Sequence, residues 1–199
     1  MRSKLWAADL RSAGLPSSPS AVEVIEIKPP TAEILIAAMG AEGDRVASRF
    51  ARGCRSFAAL HRGTLAAYGW LSTQTEWIGE LGIAISPAAG EAYVWNCFTL
   101  PAFRRQGHYR ALLEGTVAHA RAEGLKRLWI GSIHDPAEKA DADAGFAPVL
   151  HFTVVKLGPV RWLRASDAPD APAGLPGEAR RRLGLGRRSV IGRVAARIH

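Results

Sequence analysis

Cysteine is almost absent from this 199-residue chain: Cys54 and Cys97 are the only two. Two cysteines make no disulfide framework, and this pair lacks the spacing of a metal site, so no metal is expected. Their scarcity fits a reducing compartment, and the expected location is cytoplasmic. Long apolar runs are missing too. No stretch reaches the ~18 residues that a membrane-spanning helix requires. Met1 to Pro19 contains Arg2 and Lys4 but no continuous apolar core of a secretory leader. What is present, 48% hydrophobic and 22% charged residues, is the composition of a globular domain with a real core.

Acidic residues are outnumbered, 18 against 26 Lys and Arg, giving a formal net charge of +8. The excess is local. Residues 160–199 hold nine arginines and three acids, whereas the preceding 159 residues hold 17 basic and 15 acidic side chains. The body is nearly balanced, so the overall charge does not argue for nucleic-acid binding by the domain. It also lacks the interleaved aromatic and basic face of an RNA platform.

Residues 1–20 read as a weakly structured segment, with any short helix begun at Leu5 ended by Gly14 and Pro16. A domain is expected over 21–158. It starts with a strand at Val22–Ile27, then helices over Thr31–Met39 and Asp44–Arg52. Strands at Ser56–His61 and Thr64–Ser72 flank Arg62-Gly63, a two-residue hairpin turn. Further strands follow at Glu80–Ile85 and Glu91–Leu100. Gly107–Glu123 is a helix with Leu112, Leu113, Thr116, Val117 and Ala120 on one stripe, stopped by Gly124. Leu125–Ile133 is apolar enough for a central strand. A short helix over Pro136–Ala144 and strands around Val149–Leu157 complete a mixed, mostly antiparallel sheet covered by helices, an α/β (α+β) fold. Residues 159–199 read as an Ala/Pro/Gly linker and a basic tail. Its Arg180-Arg181-Arg182 and Arg187-Arg188 alternate with apolar residues. Such a pattern suits contact with an anionic surface or nucleic acid, with a solvated tail as the competing reading.

Chemistry is concentrated in Tyr93–Leu113, which runs strand, tight turn, helix. The first turn of a helix presents unpaired N–H groups and a dipole that favours an anion. Gly107 lets the main chain approach a bulky anion, and Arg104, Arg105 and Arg110 add charge around the same mouth. Pro101 sits where strand pairing stops, leaving Phe98, Thr99 and Leu100 free to bond an extended ligand as another strand would.

The run Leu100-Pro101-Ala102-Phe103-Arg104-Arg105-Gln106-Gly107, followed by Ala111-Leu112-Leu113 and, downstream, Ala144-Gly145-Phe146, resembles the cofactor motif and helix-ending Gly-Phe of the GNAT superfamily of acyl-CoA N-acyltransferases. The resemblance spans residues 22–157. It implies acetyl-CoA or another acyl-CoA as cosubstrate and transfer of a short acyl group to an amine by direct attack. Phe98 and Leu100 would hold the pantetheine arm. The amides of Arg105, Gln106, Gly107, His108, Tyr109 and Arg110 would hold the pyrophosphate. Tyr109 stands where the family has Gly or Ala. Asp141 stands where the family often has a Tyr that protonates the departing thiolate, and a carboxylate of ordinary pKa is ill suited to that task. His134-Asp135 replaces the family's usual Asn.

Two residues are candidates for the base that takes the amine proton: Glu80, in an apolar stretch, and His134, after the strand Leu125–Ile133. For each, a structural role competes: a carboxylate on the open face of a strand, and an N-cap or loop histidine. Water is the third candidate. Cys97 reads as a small buried hydrophobe rather than a nucleophile. An alternative to the enzyme is an acyl-CoA-binding module of the same fold without turnover.

Overall fold

The computed structural model describes residues 2–12, 22–133, 135–157, 160–186 and 190–192. In chain order its elements are β1 (Arg2–Asp9), β2 (Glu23–Ile27), α1 (Glu33–Met39), α2 (Val46–Ala51), β3 (Arg55–His61), β4 (Thr64–Ser72), β5 (Glu76–Ile78), β6 (Ile83–Ile85), β7 (Glu91–Thr99), α3 (His108–Ala122), β8 (Arg127–Ser132), α4 (Asp135–Asp143), β9 (Ala147–Leu157), β10 (Val160–Asp167), α5 (Leu175–Arg182) and β11 (Val190–Gly192). Nine strands form one sheet in the order β11-β10-β9-β1-β8-β7-β4-β3-β2, and β5 and β6 form a separate hairpin. Among the described residues of the large sheet, only β7 and β8 pair in parallel. This is the mixed, mostly antiparallel sheet flanked by helices that the sequence pattern implies.

Local chemistry explains several joints. Arg62 and Gly63 both have positive φ, 50° and 78°, as a two-residue hairpin turn between right-twisted strands requires. The α3 stripe of Leu112, Leu113, Val117 and Ala120 buries itself on one sheet face with Phe57, Ala67, Val94 and Ile130. The opposite face is covered at one end by α1 and α2, through Leu35, Met39 and Val46. At the other end it is covered by the β5–β6 hairpin and α5, through Ile83, Ile85, Leu175 and Ala179.

The segment expected to be weakly structured supplies a central strand. β1 lies between β8 and β9, antiparallel to both. Its side chains alternate as a doubly buried strand must: Leu5 and Ala7 join one core cluster, Trp6, Ala8 and Leu10 the other. The start of this segment is therefore neither weakly structured nor a short helix begun at Leu5.

A second correction concerns the chain after residue 158. β10 pairs with β9 from Val160↔Leu157 to Asp167↔Leu150, and β11 adds to β10. Leu175, Ala179, Leu183 and Leu185 pack into the core. The Pro/Gly-rich stretch is a connection between packed elements, not an exit from the domain. Part of the tail's positive charge is spent internally: Arg180 pairs with Asp167 at 2.6 Å and Arg182 with Glu91 at 2.7 Å. Arg187 and Arg188 lie outside the described residues.

Candidate active site

β7 and β8 are in register only from Glu91↔Arg127 to Val94↔Ile130. Beyond Val94, β7 stays on β4, and the side of it that faced β8 is left open. The departure begins at a bulge: Tyr68 pairs with Phe98 and Trp70 with Trp95, so Asn96 and Cys97 together oppose Gly69. Asn96 takes a left-handed φ of 46°, a conformation Asn tolerates better than most residues. Gly69 is needed opposite it, because a Cβ there would lie 2.8 Å from the Cys97 sulfur.

The gap is a cleft of about 920 Å³ between the end of β7, the start of α3 and the end of β8. Its floor on the α3 side is built by the turn that the sequence singles out. Arg105 and Gly107 have φ of 61° and 81°, and Gly107 caps α3 without any side-chain hydrogen bond or first-turn acid. The N–H groups that open α3 thus meet no competing side-chain acceptor, the arrangement that attracts a phosphate. Gly107 is demanded by its φ rather than by crowding, since a Cβ there would meet nothing within 4 Å.

The expected cofactor-binding residues divide by what they are free to do. All of Phe98, Thr99, Arg104, Arg105, Gln106, Gly107, His108, Tyr109 and Arg110 line the cleft. Leu100 does not, and its N–H is committed to Ala66 O at 2.9 Å, so it cannot serve an extended ligand with that group. The Arg104 guanidinium lies 5.4 Å from the Phe98 ring centre and its Nε donates to Thr99 O at 3.2 Å. Gln106 Nε2 donates to Ala102 O, and Arg110 pairs with Glu114 at 3.5 Å. Arg105 is exposed and has no ion-pair partner among the described residues. The His108 ring is buried against His61 and Phe103, and neither ring nitrogen has a hydrogen-bond partner among the described residues. Burial, with His61 beside it, lowers its pKa.

Tyr109 turns its ring toward α4, and its hydroxyl donates to Asp141 Oδ1 at 2.9 Å. Asp141 is completely buried. Burial raises its carboxyl to about 7, offset only in part by the Tyr109 and Ser132 hydroxyls. The carboxylate that looked unsuited to proton chemistry at neutral pH is thereby brought to it. Burial also pushes the Tyr109 phenol well above its usual range. Ser132, at the end of β8, accepts a hydrogen bond from Trp6 Nε1 at 2.7 Å. Cys97 is half-buried and lines the cleft, and its surroundings push its thiol far up, which fits a packing residue and not a nucleophile.

A second cleft, about 600 Å³, adjoins the first on the side of α2 and the β5–β6 turn. Glu80, Trp95, Asn96, Gly131, Ser132 and Ile133 line both. Glu80 stands on the turn between β5 and β6 rather than in a strand, and it is exposed, not embedded in its apolar neighbours. His134 lies outside the described residues. Sequence reasoning missed Arg49. Its buried guanidinium sits 5.0 Å from the Trp70 ring centre and 4.6 Å from that of Trp95. It donates to Asn96 Oδ1 at 2.9 Å and Glu42 Oε2 at 3.0 Å. Its place on a short amphipathic helix carried no hint of this reach. Ser3 and Lys4 of β1 also line the second cleft, and they were out of view once β1 was read as a weak segment.

Among solved structures, a GNAT-family protein of Novosphingobium aromaticivorans is 17% identical with a TM-score of 0.53, over 76% of this chain and 62% of its own. A GNAT-family acetyltransferase of Colwellia psychrerythraea is 18% identical with a TM-score of 0.54, over 75% and 53%. A GCN5-related N-acetyltransferase of Kribbella flavida is 20% identical with a TM-score of 0.51, over 74% and 55%. The chain thus spans between about half and three fifths of these proteins, and at such identities the likeness is one of fold. No curated protein matches the sequence. The family model described as Acetyltransferase (GNAT) family matches residues 24–142. That stretch is more than half of the chain and contains the β7–turn–α3 unit, so the chain belongs to the GNAT family of acetyltransferases.

Proposed function

We propose that this protein moves an acetyl or other short acyl group from acyl-coenzyme A to an amine by direct attack. The observation that carries the reading is the parting of β7 from β8 beside an uncapped α3 whose preceding turn holds left-handed Arg105 and Gly107. An extended pantetheine arm suits the open side of β7 at Phe98 and Thr99. The pyrophosphate suits the α3 N–H groups, with Arg105 as a cation without a partner among the described residues. A main-chain N–H beside the Asn96 bulge would polarise the thioester oxygen.

The amine enters through the second cleft, and Glu80, exposed at the junction and without a partner among the described residues, accepts its proton. The departing thiolate takes the Tyr109 hydroxyl proton, and protonated Asp141, whose carboxyl is raised to about 7, returns a proton to the Tyr109 oxygen. The alternative, a binding module without turnover, is less well supported because the two clefts meet at an unpaired carboxylate.

Calorimetry with acetyl-CoA tests the cofactor assignment. Gly107→Glu sets a carboxylate against the pyrophosphate and forces a strained φ, and binding should fall by at least an order of magnitude. Wild-type affinity in the folded variant would remove the assignment. Coenzyme A release across a panel of amines tests turnover.

A further inference from the structure

The polar groups of the second cleft are not all satisfied by one another, and the remainder describes a ligand. Glu42 and Arg49 pair at 3.0 Å, and Lys4 pairs with Glu138. Four of the uncommitted groups among the described residues bear on a ligand. Arg45 is an exposed cation without a hydrogen-bond or ion-pair partner, and Glu80 is its acidic counterpart. The Ser3 hydroxyl and the Trp95 indole N–H are both buried without a hydrogen-bond partner. Ser3 itself is only 6% exposed. Three of these four can donate, and Glu80 is the one strong acceptor. Buried donors left unpaired are costly, so this wall suits a ligand rich in acceptor oxygens.

Position adds direction. Glu80 lines both clefts, whereas Arg45 lines only the second. Trp77, 61% exposed, presents an apolar ring on the same wall. We propose that the acceptor is an amine carrying an anionic group, carboxylate or phosphate, with its amine at Glu80 and its anion at Arg45. The inference rests on the acyltransferase reading and narrows it. A polycationic amine would meet Arg45 as a like charge and leave the Ser3 and Trp95 donors unserved, so such acceptors are disfavoured.

The test measures coenzyme A release from acetyl-CoA with matched amines. Benzylamine is compared with 4-(aminomethyl)benzoate, ethanolamine with O-phosphoethanolamine, and spermidine serves as the polycation. The anionic member of at least one pair should show kcat/KM about tenfold higher or more, and the pair in which this occurs identifies carboxylate or phosphate. Arg45→Glu should abolish or reverse that preference. The wild-type ratio stands as a test even if the variant fails to fold. Equal kcat/KM within both pairs, or a preference for spermidine, overturns the inference and leaves the acyltransferase reading intact. If no amine is acylated, calorimetry of the same amines in the presence of coenzyme A decides. Selective binding of an anionic member keeps the site and overturns turnover, and no binding overturns both.

Discussion

The Tyr109 hydroxyl donates to Asp141 across 2.9 Å, joining the first turn of α3 to α4 around a fully buried carboxyl. Burial raises Asp141 to about 7, so near neutrality the pair gains or loses a proton easily. Tyr109→Phe removes the hydroxyl that donates to Asp141 and should lower kcat by roughly 10², the lower end for a positioned acid, because a thiolate leaves without much help. Acetyl-CoA affinity by calorimetry should move by less than threefold. Retention of kcat would remove the pair from the mechanism.

The same pair has a stability signature whose sign follows from linkage. Asp141 holds its proton in the folded protein up to about pH 7, whereas the unfolded chain releases it near 4. Between those values the folded state binds more protons, so stability falls as pH rises and the loss is complete above pH 7. Asp141→Asn keeps an acceptor for Tyr109 and removes the buried charge. The variant should be more stable than wild type at pH 8, by up to a few kcal/mol, and the two should converge near pH 4. Urea unfolding at both pH values measures this.

Gly69 and Cys97 form a packing pair with a testable reciprocity. A Cβ on Gly69 would lie 2.8 Å from the Cys97 sulfur but 3.7 Å from its Cβ, and 3.4 Å from a Leu112 methyl. Gly69→Ala should therefore destabilise by about 1–3 kcal/mol. Adding Cys97→Ala should recover most of that loss, giving a coupling of opposite sign to the single effect. Independent, additive effects would mean that the bulge relaxes in some other way.

These pairs mark how far the sequence could be read. The β7–turn–α3 unit was legible because its signals are local: Pro101, the arginines, Gly107 and the helical stripe stand within one stretch of chain. Tyr109 reaches Asp141 over 32 positions, Arg49 reaches Asn96 over 47, and no periodicity encodes either. β1 was misread because Leu5-Trp6-Ala7-Ala8 is apolar on consecutive positions. That run fits a doubly buried strand as well as a helix, and only its partners β8 and β9 decide. β10 was missed because Val160–Asp167 has no uniform alternation, and the following Pro and Gly residues read as an exit from the fold. The second cleft depends on the first of these errors: β1 forms one of its walls, and no motif announces Arg45 and Glu80 as neighbours of one cavity.

Arg49 ties the second cleft to the bulge through Asn96. Arg49→Met preserves bulk between Trp70 and Trp95 but removes the cation and the donor. Asn96 then loses the partner that holds its side chain while its backbone keeps a strained φ. We expect kcat to fall about tenfold or more, with acetyl-CoA affinity nearly unchanged, because the proposed pyrophosphate site lies on another element. Equal losses in both quantities would instead indicate a general loss of structure.

Glu91 opens β7 and closes α5 onto the sheet. It accepts from Arg182 at 2.7 and 3.1 Å, from Trp129 Nε1 at 2.9 Å and from the Ala88 N–H at 3.1 Å. Burial by itself would raise its pKa, yet the bonds from Arg182 and Trp129 hold it at about 2. A carboxylate with a depressed folded pKa contributes stability that is fully present above its unfolded value, ~4.3, and is lost as pH falls through the folded one. On the order of 3 kcal/mol should therefore disappear between about pH 5 and pH 2. Glu26 and Asp9 are held equally low by Arg55 and Arg11 and add their own losses over the same range. The comparison with Glu91→Gln isolates one contribution. That variant should be destabilised at pH 7 and should show a shallower decline on acidification. Arg182→Ala should give a similar pattern, because it removes the strongest of the donors and frees the end of α5. Truncation after residue 159 removes Arg182 together with β10, Leu175 and Ala179, and it should lower the cooperative melting temperature markedly. An unchanged melt in the truncated protein would mean that α5 does not hold β7 and β9 in place.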